Sequence, residues 1–279
     1  MIGLVTLVAS SGSVRTATVL SCVYFYARLQ GRGRSHLRSP GSKSTGVPDP
    51  FRLWMVSTRL ARQRMRFCMR DGSQVTCRIL DSGGLLSVHM GRDYDVPGLE
   101  WSEARTIVDI GAHVGSFTVW AALRSPRARV LAVEPNPETF ALLLENVRDN
   151  GLQERVTAVN AAVGSAPGVA GLELVEHSLA TRLAPTGEGR KTTNVQRIDS
   201  LLAMAGIDEV DVLKVDCEGM EYDMFEAMGS EALRAVKTIA CEYHPEPDHD
   251  VSELDAILRS AGFRVERPDA PLGVIWATR

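Results

Sequence analysis

Five polar residues stand just beyond short apolar runs. Asp109 follows Thr106-Ile107-Val108, Glu134 follows Val130-Leu131-Ala132-Val133, and Asn160 follows residues 156–159; Asp216 and Glu242 follow residues 210–215 and 238–241. Each run is short and rich in β-branched residues, which suits a buried parallel strand. In an open parallel sheet the carboxyl ends of the strands share one rim, and ligands lie in the crevice outside it. Four carboxylates and an amide on one rim repel one another unless a cation or hydrogen-bond donors compensate.

The first of these residues introduces a turn. Gly111 and Gly115 are spaced G-x-x-x-G, not G-x-G-x-x-G. Glycine at such a turn allows a tight strand-to-helix connection and a close backbone approach to a ligand. A carboxylate at Asp109 would repel a pyrophosphate. It suits a ligand that combines positive charge with hydroxyls, such as S-adenosylmethionine. Glu134 comes 25 residues after Asp109, near the interval at which an acid accepts from both ribose hydroxyls. That interval alone also fits a nicotinamide dinucleotide, and the glycine spacing argues against it.

Elements that position these residues can be read between them. Residues 116–123 suit a helix packed on a sheet. Pro137 opens a helix through Val147, closed by Asn150-Gly151. A further helix over 251–260 leads to two terminal strands, 263–266 and 274–277, expected to pair antiparallel. Strands alternating with helices imply a parallel, doubly wound sheet. Residues 171–176 and 192–197 read as an inserted hairpin around a flexible loop, 177–190. This flap is placed to close over an acceptor.

Ahead of the sheet, residues 66–69 and 74–79 flank Asp71-Gly72, a strong hairpin signal. Residues 51–70 are expected to hold an amphipathic helix, and residues 83–84 and 91–98 a loop or short helix. The expected domains are 1–50, a flexible or weakly apolar segment; 51–104, a helix and small β element; and 105–279, the sheet domain. Neither apolar half of residues 2–27 reaches the roughly 20 residues that span a bilayer, and no basic region precedes the first.

The chain has 279 residues and a net charge of −3. That value conceals +11 over residues 1–70 and −14 over the rest. An acidic body argues against nucleic acid as a partner. Five cysteines, odd in number and with no C-x-x-C pair, read as reduced thiols of a cytoplasmic protein. No membrane partner is expected.

The motifs VDIGAHVG, VEPNP, NAAVG, VQRIDSLL, LKVDCEGME and CEYH, in this order and spacing, resemble the FkbM family of S-adenosylmethionine-dependent methyltransferases over roughly residues 90–260. The resemblance implies the class I methyltransferase fold, a Rossmann-like seven-stranded sheet with an antiparallel last strand. It also implies methyl transfer to a hydroxyl of a sugar or secondary metabolite, and it requires no metal. Asp109, Gly111, Ala112, His113 and Gly115 would shape the methionine side of the cofactor pocket. Glu134, with Pro135 and Asn136, would take the ribose, and Asn160-Ala161 would border the adenine. Asp216, Glu218 and Gly219 would form the floor beside the reacting methyl, with Glu242 and His244 opposite. His113 departs from the family, which more often has Asn there.

Methyl transfer to an alcohol needs in-line positioning and a base. Good positioning contributes about 7–11 kcal/mol and a base something like 10²–10⁴-fold. His244, with an ordinary pKa near 6.5, is the expected base, with Glu242 orienting it or acting in its place and Asp216 beside them. An alternative use of Asp216, Glu218 and Glu242 is to bind Mg²⁺. Cys217 and Cys241 read as small buried residues. A nicotinamide oxidoreductase on the same sheet, and a binding protein that has lost activity, are the other readings.

Overall fold

The computed structural model describes residues 62–89, 93–94, 96–174, 181–187, 191–244, 246–267 and 273–279. The expectations for residues 1–50 and for a helix over 51–61 lie outside these. The rest of that helix is replaced by a strand. Arg64–Cys68 (β1) pairs antiparallel with Gln74–Arg78 (β2) around Gly72, whose φ is +91°. Alternating Met65, Phe67, Val75 and Cys77 bury one face of this hairpin, the period-2 pattern that defeats a helix. A short helix, Gly83–His89 (α1), follows.

The main sheet has seven strands. In chain order they are Thr106–Ile110 (β3), Arg129–Val133 (β4), Val156–Val159 (β5), Val210–Val215 (β10), Val236–Glu242 (β11), Arg264–Glu266 (β12) and Val274–Thr278 (β13). Their spatial order is β12-β13-β11-β10-β3-β4-β5. β3, β4, β5, β10 and β11 pair in parallel, and β13 runs antiparallel between β11 and β12. β3 lies between β10 and β4, so the strand order reverses there and a crevice opens at the carboxyl ends.

Helices pack on both faces. Ser116–Arg124 (α2) and Pro137–Asp149 (α3) follow β3 and β4. Ile198–Ala205 (α4), Glu221–Leu233 (α5) and Val251–Ser260 (α6) complete the layers. Val108, Ile110, Leu213 and Val215 face one apolar cluster with α5 and α6, while Ile107, Ala132 and Val212 face another with α2. Alternate residues of each strand therefore enter different cores, which is why these strands read as continuous apolar runs.

The inserted hairpin is larger than expected. Gly168–Leu174 (β7) pairs antiparallel with both Thr181–Ala184 (β8) and Lys191–Gln196 (β9), and β9 pairs in parallel with Ala162–Val163 (β6). The result is a four-stranded sheet, β6-β9-β7-β8. β8 lies inside the stretch read as a flexible loop, whose residues 177–180 and 188–190 fall outside the described ones. The short Thr-Arg-Leu-Ala run, whose Arg182, Leu183 and Ala184 are all half-buried, carries no alternation of buried and exposed residues from which a strand could be read.

Candidate active site

A solvent-open cleft, enclosing about 600 Å³ of space with open solvent included, lies at the carboxyl ends of β3, β4 and β10. Of the residues assigned to the cofactor from sequence, Gly111, His113, Glu134, Pro135, Ala161, Asp216 and Glu218 line it. Asp109, Ala112, Gly115, Asn136 and Asn160 are not among its lining residues, and each has other work. The amide of Ala112 donates to Val133 O at 2.9 Å. Asn136 caps α3, its side chain accepting from Glu138 N at 3.0 Å. Asn160 donates to the carbonyls of Glu134 and Pro135 at 2.8 and 3.1 Å.

The glycines serve the protein's own packing first. Gly111 has φ +74°, and a Cβ added there would overlap the carbonyl oxygen of Asp216. Gly115, at φ +84°, is pressed against Leu143 of α3. Close approach was the correct inference, but the partner is backbone and core rather than ligand. The residue between them, His113, also has a left-handed backbone, φ 54°. Asparagine and histidine are both enriched in that region, so the departure at this position keeps a side chain that the backbone tolerates. Burial pushes the His113 imidazole down to about 4, so the ring is neutral.

Asp109 lies beneath the cavity. It is fully buried, accepts from Thr118 Oγ1 at 2.6 Å and lies 3.1 Å from Lys214 Nζ. Lys214, itself buried, also donates to Gly111 O at 2.7 Å and stands 3.7 Å from Asp216 Oδ2. Burial opposes its charge, but Asp109 and Asp216 outweigh it and raise its pKa. The lysine thus ties β3, the glycine turn and the β10 end together. Sequence reasoning missed it, although a lone lysine in the apolar run Val-Asp-Val-Leu-Lys-Val was the available signal.

Glu134 sits at the β4 end as the ribose assignment requires. Its carboxylate accepts from His113 N at 2.7 Å, Asn136 N at 2.9 Å and Thr139 Oγ1 at 2.8 Å. A carboxylate offers about four lone-pair sites, so one is left towards the cavity. Burial raises its pKa to about 7, against the pull of those three donors. A second missed residue, Asn146 of α3, is fully buried and reaches both sides of this region. It accepts from Thr76 N at 2.7 Å and donates to Thr76 O at 2.9 Å and Val114 O at 2.8 Å. The N-terminal hairpin is thereby bonded to the glycine turn.

The other end of the cavity is acidic. Asp216, Cys217, Glu218 and Met220 line it, and Glu218 adopts a left-handed backbone, φ 56°. Glu221, fully buried and also missed, accepts from Cys217 N at 3.0 Å and Gly219 N at 2.9 Å, so it pins this turn. The same carboxylate holds His244 Nδ1 at 3.0 Å. His244 Nε2 then faces Glu218 at 3.6 Å, Glu242 at 3.9 Å and Asp216 at 4.0 Å. The three residues put forward as catalytic, Asp216, Glu242 and His244, do meet here.

Their protonation differs from the expectation. Burial works against a charged imidazole, yet the bond from Glu221 and the surrounding carboxylates raise His244 to about 9. The ring is therefore an imidazolium at neutral pH, not a ready base. Burial raises Glu218 to about 7, and burial followed by the charge of Asp216 raises Glu242 to about 8. Tyr94, buried and packed 4.8 Å from Phe117, lies in the field of Lys214, Asp216 and Glu242. On the open side, Leu183 of β8 lines the cavity, and Arg182 pairs with Glu246 at 3.0 Å.

The model of the Methyltransferase FkbM domain matches residues 109–265. Methyltransferase sdnD of Sordaria araneosa is 25% identical over 196 residues, covering 59% of this chain and 75% of its own. The 31-O-demethyl-FK506 methyltransferase FkbM of Streptomyces tacrolimicus is 27% identical over 206 residues, covering 63% and 78%. Hexuronic acid methyltransferase AglP of Haloferax volcanii is 29% identical over 156 residues, covering 56% and 63%. Among solved structures, the methyltransferase FkbM of Methylobacillus flagellatus KT aligns with 70% of this chain at a TM-score of 0.48 and 16% identity. This chain spans about half of that one, 52%. The domain match covers more than half of the sequence and runs from the buried Asp109 through the acidic turn and His244 to β12, and on that ground the chain belongs to the FkbM family of methyltransferases.

Proposed function

We propose that this protein transfers a methyl group from S-adenosylmethionine to a hydroxyl of a small molecule, a sugar or a natural product. The observation that carries this reading is the pairing, within one cavity, of a buried Glu134 with spare acceptor capacity and an acidic end built on Asp216 and Glu218. The first suits ribose hydroxyls and the second a sulfonium. When bound, S-adenosylmethionine supplies the activated methyl group.

The residues of the chain hold the remaining parts. Gly111 and His113 form the wall beside the methionine portion, and Ala161 the wall beside the adenine. The ionised form of Glu242, which grows as pH rises towards its pKa of about 8, receives the acceptor's proton, because Nδ1 of His244 is committed to Glu221 and its Nε2 already carries a proton. His244 keeps that carboxylate in place. The β8 strand, carrying Leu183, forms the acceptor side and excludes water. Two relatives, the FkbM and AglP methyltransferases, are named for methylating a natural product and a hexuronic acid, which supports the acceptor class.

Isothermal calorimetry with S-adenosylmethionine and with NADH tests the cofactor, and labelled methyl transfer into a panel of sugars and hydroxylated natural products tests the acceptor. Binding of S-adenosylmethionine but not NADH, with label appearing as an ether, is expected. Preference for NADH would overturn the reading.

A further inference from the structure

We propose that Asp216, Glu218 and His244 form a site for one divalent transition cation of the Mn²⁺ or Zn²⁺ kind. One oxygen from each carboxylate and one imidazole nitrogen lie within 4.8 Å of one another. Sequence alone suggested Asp216, Glu218 and Glu242 as an alternative Mg²⁺ set; the structure brings His244 into the triad.

The orientation of the imidazole carries the argument. Glu221, fully buried, holds Nδ1 at 3.0 Å and so fixes the ring. That leaves Nε2 facing Glu218 Oε2, Glu242 Oε1 and Asp216 Oδ1 at 3.6, 3.9 and 4.0 Å. All three distances exceed hydrogen-bond reach. Donors about 2.0–2.2 Å from a shared ion stand roughly 3.3–3.6 Å apart at the tetrahedral angle and about 4 Å apart at roughly 130–145°, so Glu218 fits a co-ligand directly and Asp216 one at a wide angle, with the ion taking the place of the Nε2 proton. A carboxylate behind the second nitrogen is also the usual support of a ligating histidine.

The acids are oriented in the same way. Asp216 turns Oδ2 towards Lys214, at 3.7 Å, and Oδ1 towards His244. Glu218 stands on the turn that Glu221 pins through Cys217 N and Gly219 N. The nearby cation Arg182 is paired with Glu246. A mixed nitrogen and oxygen donor set favours Mn²⁺ or Zn²⁺ over Mg²⁺ and Ca²⁺, which take oxygen ligands. Asp216 and Glu218 both line the cavity, so a cation held there keeps open positions towards it. Ion binding is a claim separate from methyl transfer and stands whether or not that reading holds.

The full chain, stripped with EDTA, is titrated with Mn²⁺ while free ion is followed by electron paramagnetic resonance. One saturable equivalent is expected, with spin-echo modulation from a single histidine nitrogen and displacement by Zn²⁺. Glu218→Gln and His244→Gln should each weaken binding at least about tenfold, since even an outer partner of a metal ligand is worth 10–100-fold, with circular dichroism unchanged. The nitrogen signal in the unaltered protein needs no variant. Absence of a saturable site, several weak sites only, or a bound ion without nitrogen coupling would overturn the assignment.

Discussion

At the glycine-turn end of the cavity, Lys214, Glu134 and Asn146 have partners within about 3 Å. Lys214 meets Asp109 at 3.1 Å and Gly111 O at 2.7 Å, Glu134 takes three donors, and Asn146 makes three bonds. At the acidic end, His244 Nε2 and its three carboxylates stand 3.6–4.0 Å apart, while a left-handed backbone occurs at both ends, at His113 and Glu218. The first end is a finished structure that stabilises the fold. The second is held in place by Glu221, with its charged groups spaced beyond hydrogen-bond reach of His244 Nε2. Strain and poor pairing of this sort persist only where surrounding structure enforces them.

The contrast is broken most directly at Lys214. Lys214→Met should destabilise the protein by about 3–5 kcal/mol, because Asp109 is left as an unpaired buried charge. Adding Asp109→Leu should recover much of that loss. A single variant within 1 kcal/mol of the unaltered protein in urea unfolding would show that the first end is not structural.

Next in size is the turn itself. Gly111→Ala should cost about 3 kcal/mol, at the upper end of ordinary overpacking, since its methyl would overlap the Asp216 backbone. Cofactor affinity should fall with it. A stable variant that binds normally would show that the turn yields more easily than its contacts imply.

Glu134 stands between the two ends. Glu134→Ala should weaken S-adenosylmethionine binding by about 1–3 kcal/mol, the usual cost of unsatisfied buried partners, measured by calorimetry. Its titration adds a pH dependence. The folded pKa of about 7 lies above the ordinary 4.5, so this group's contribution is fully present below about pH 4.5 and is lost as pH rises through 7. Between pH 5 and 8 the unaltered protein should therefore lose about 1–3 kcal/mol relative to Glu134→Gln. Parallel stability curves would mean that the three donors overcome the burial.

The smallest stability effect belongs to the acidic end. Glu242→Gln should change unfolding near pH 7 by less than about 1 kcal/mol, because burial and the charge of Asp216 already keep that carboxyl largely neutral there, while lowering turnover by about 10²–10⁴. A large loss of stability with turnover preserved would reverse the roles assigned to the two ends.

Much of this was legible from residue order. Helix bounds such as 251–260 were readable because an acidic cap and a 3.6-residue period coincide there. The rim itself was readable because parallel strands buried on both faces give unbroken apolar runs ended by a polar residue. What stayed hidden depended on side chains crossing between elements. Asn146 read as one more polar helix residue, and Lys214 as an interruption in a strand; only the fold brings Thr76, Val114, Asp109 and Gly111 to them. Glu221 stood in the motif, but its grip on His244, 23 residues later, requires α5 and β11 to be packed side by side.

The sequence by itself determined the order of the main-sheet strands along the chain, the glycine turn and the identity of the rim acids, because these follow from local periodicity and backbone preference. The tertiary structure decided which acid is structural and which faces the cavity. It also decided the charge state of His244. Burial and opposing charges set those properties, and both exist only once side chains from distant elements lie 3–4 Å from each other.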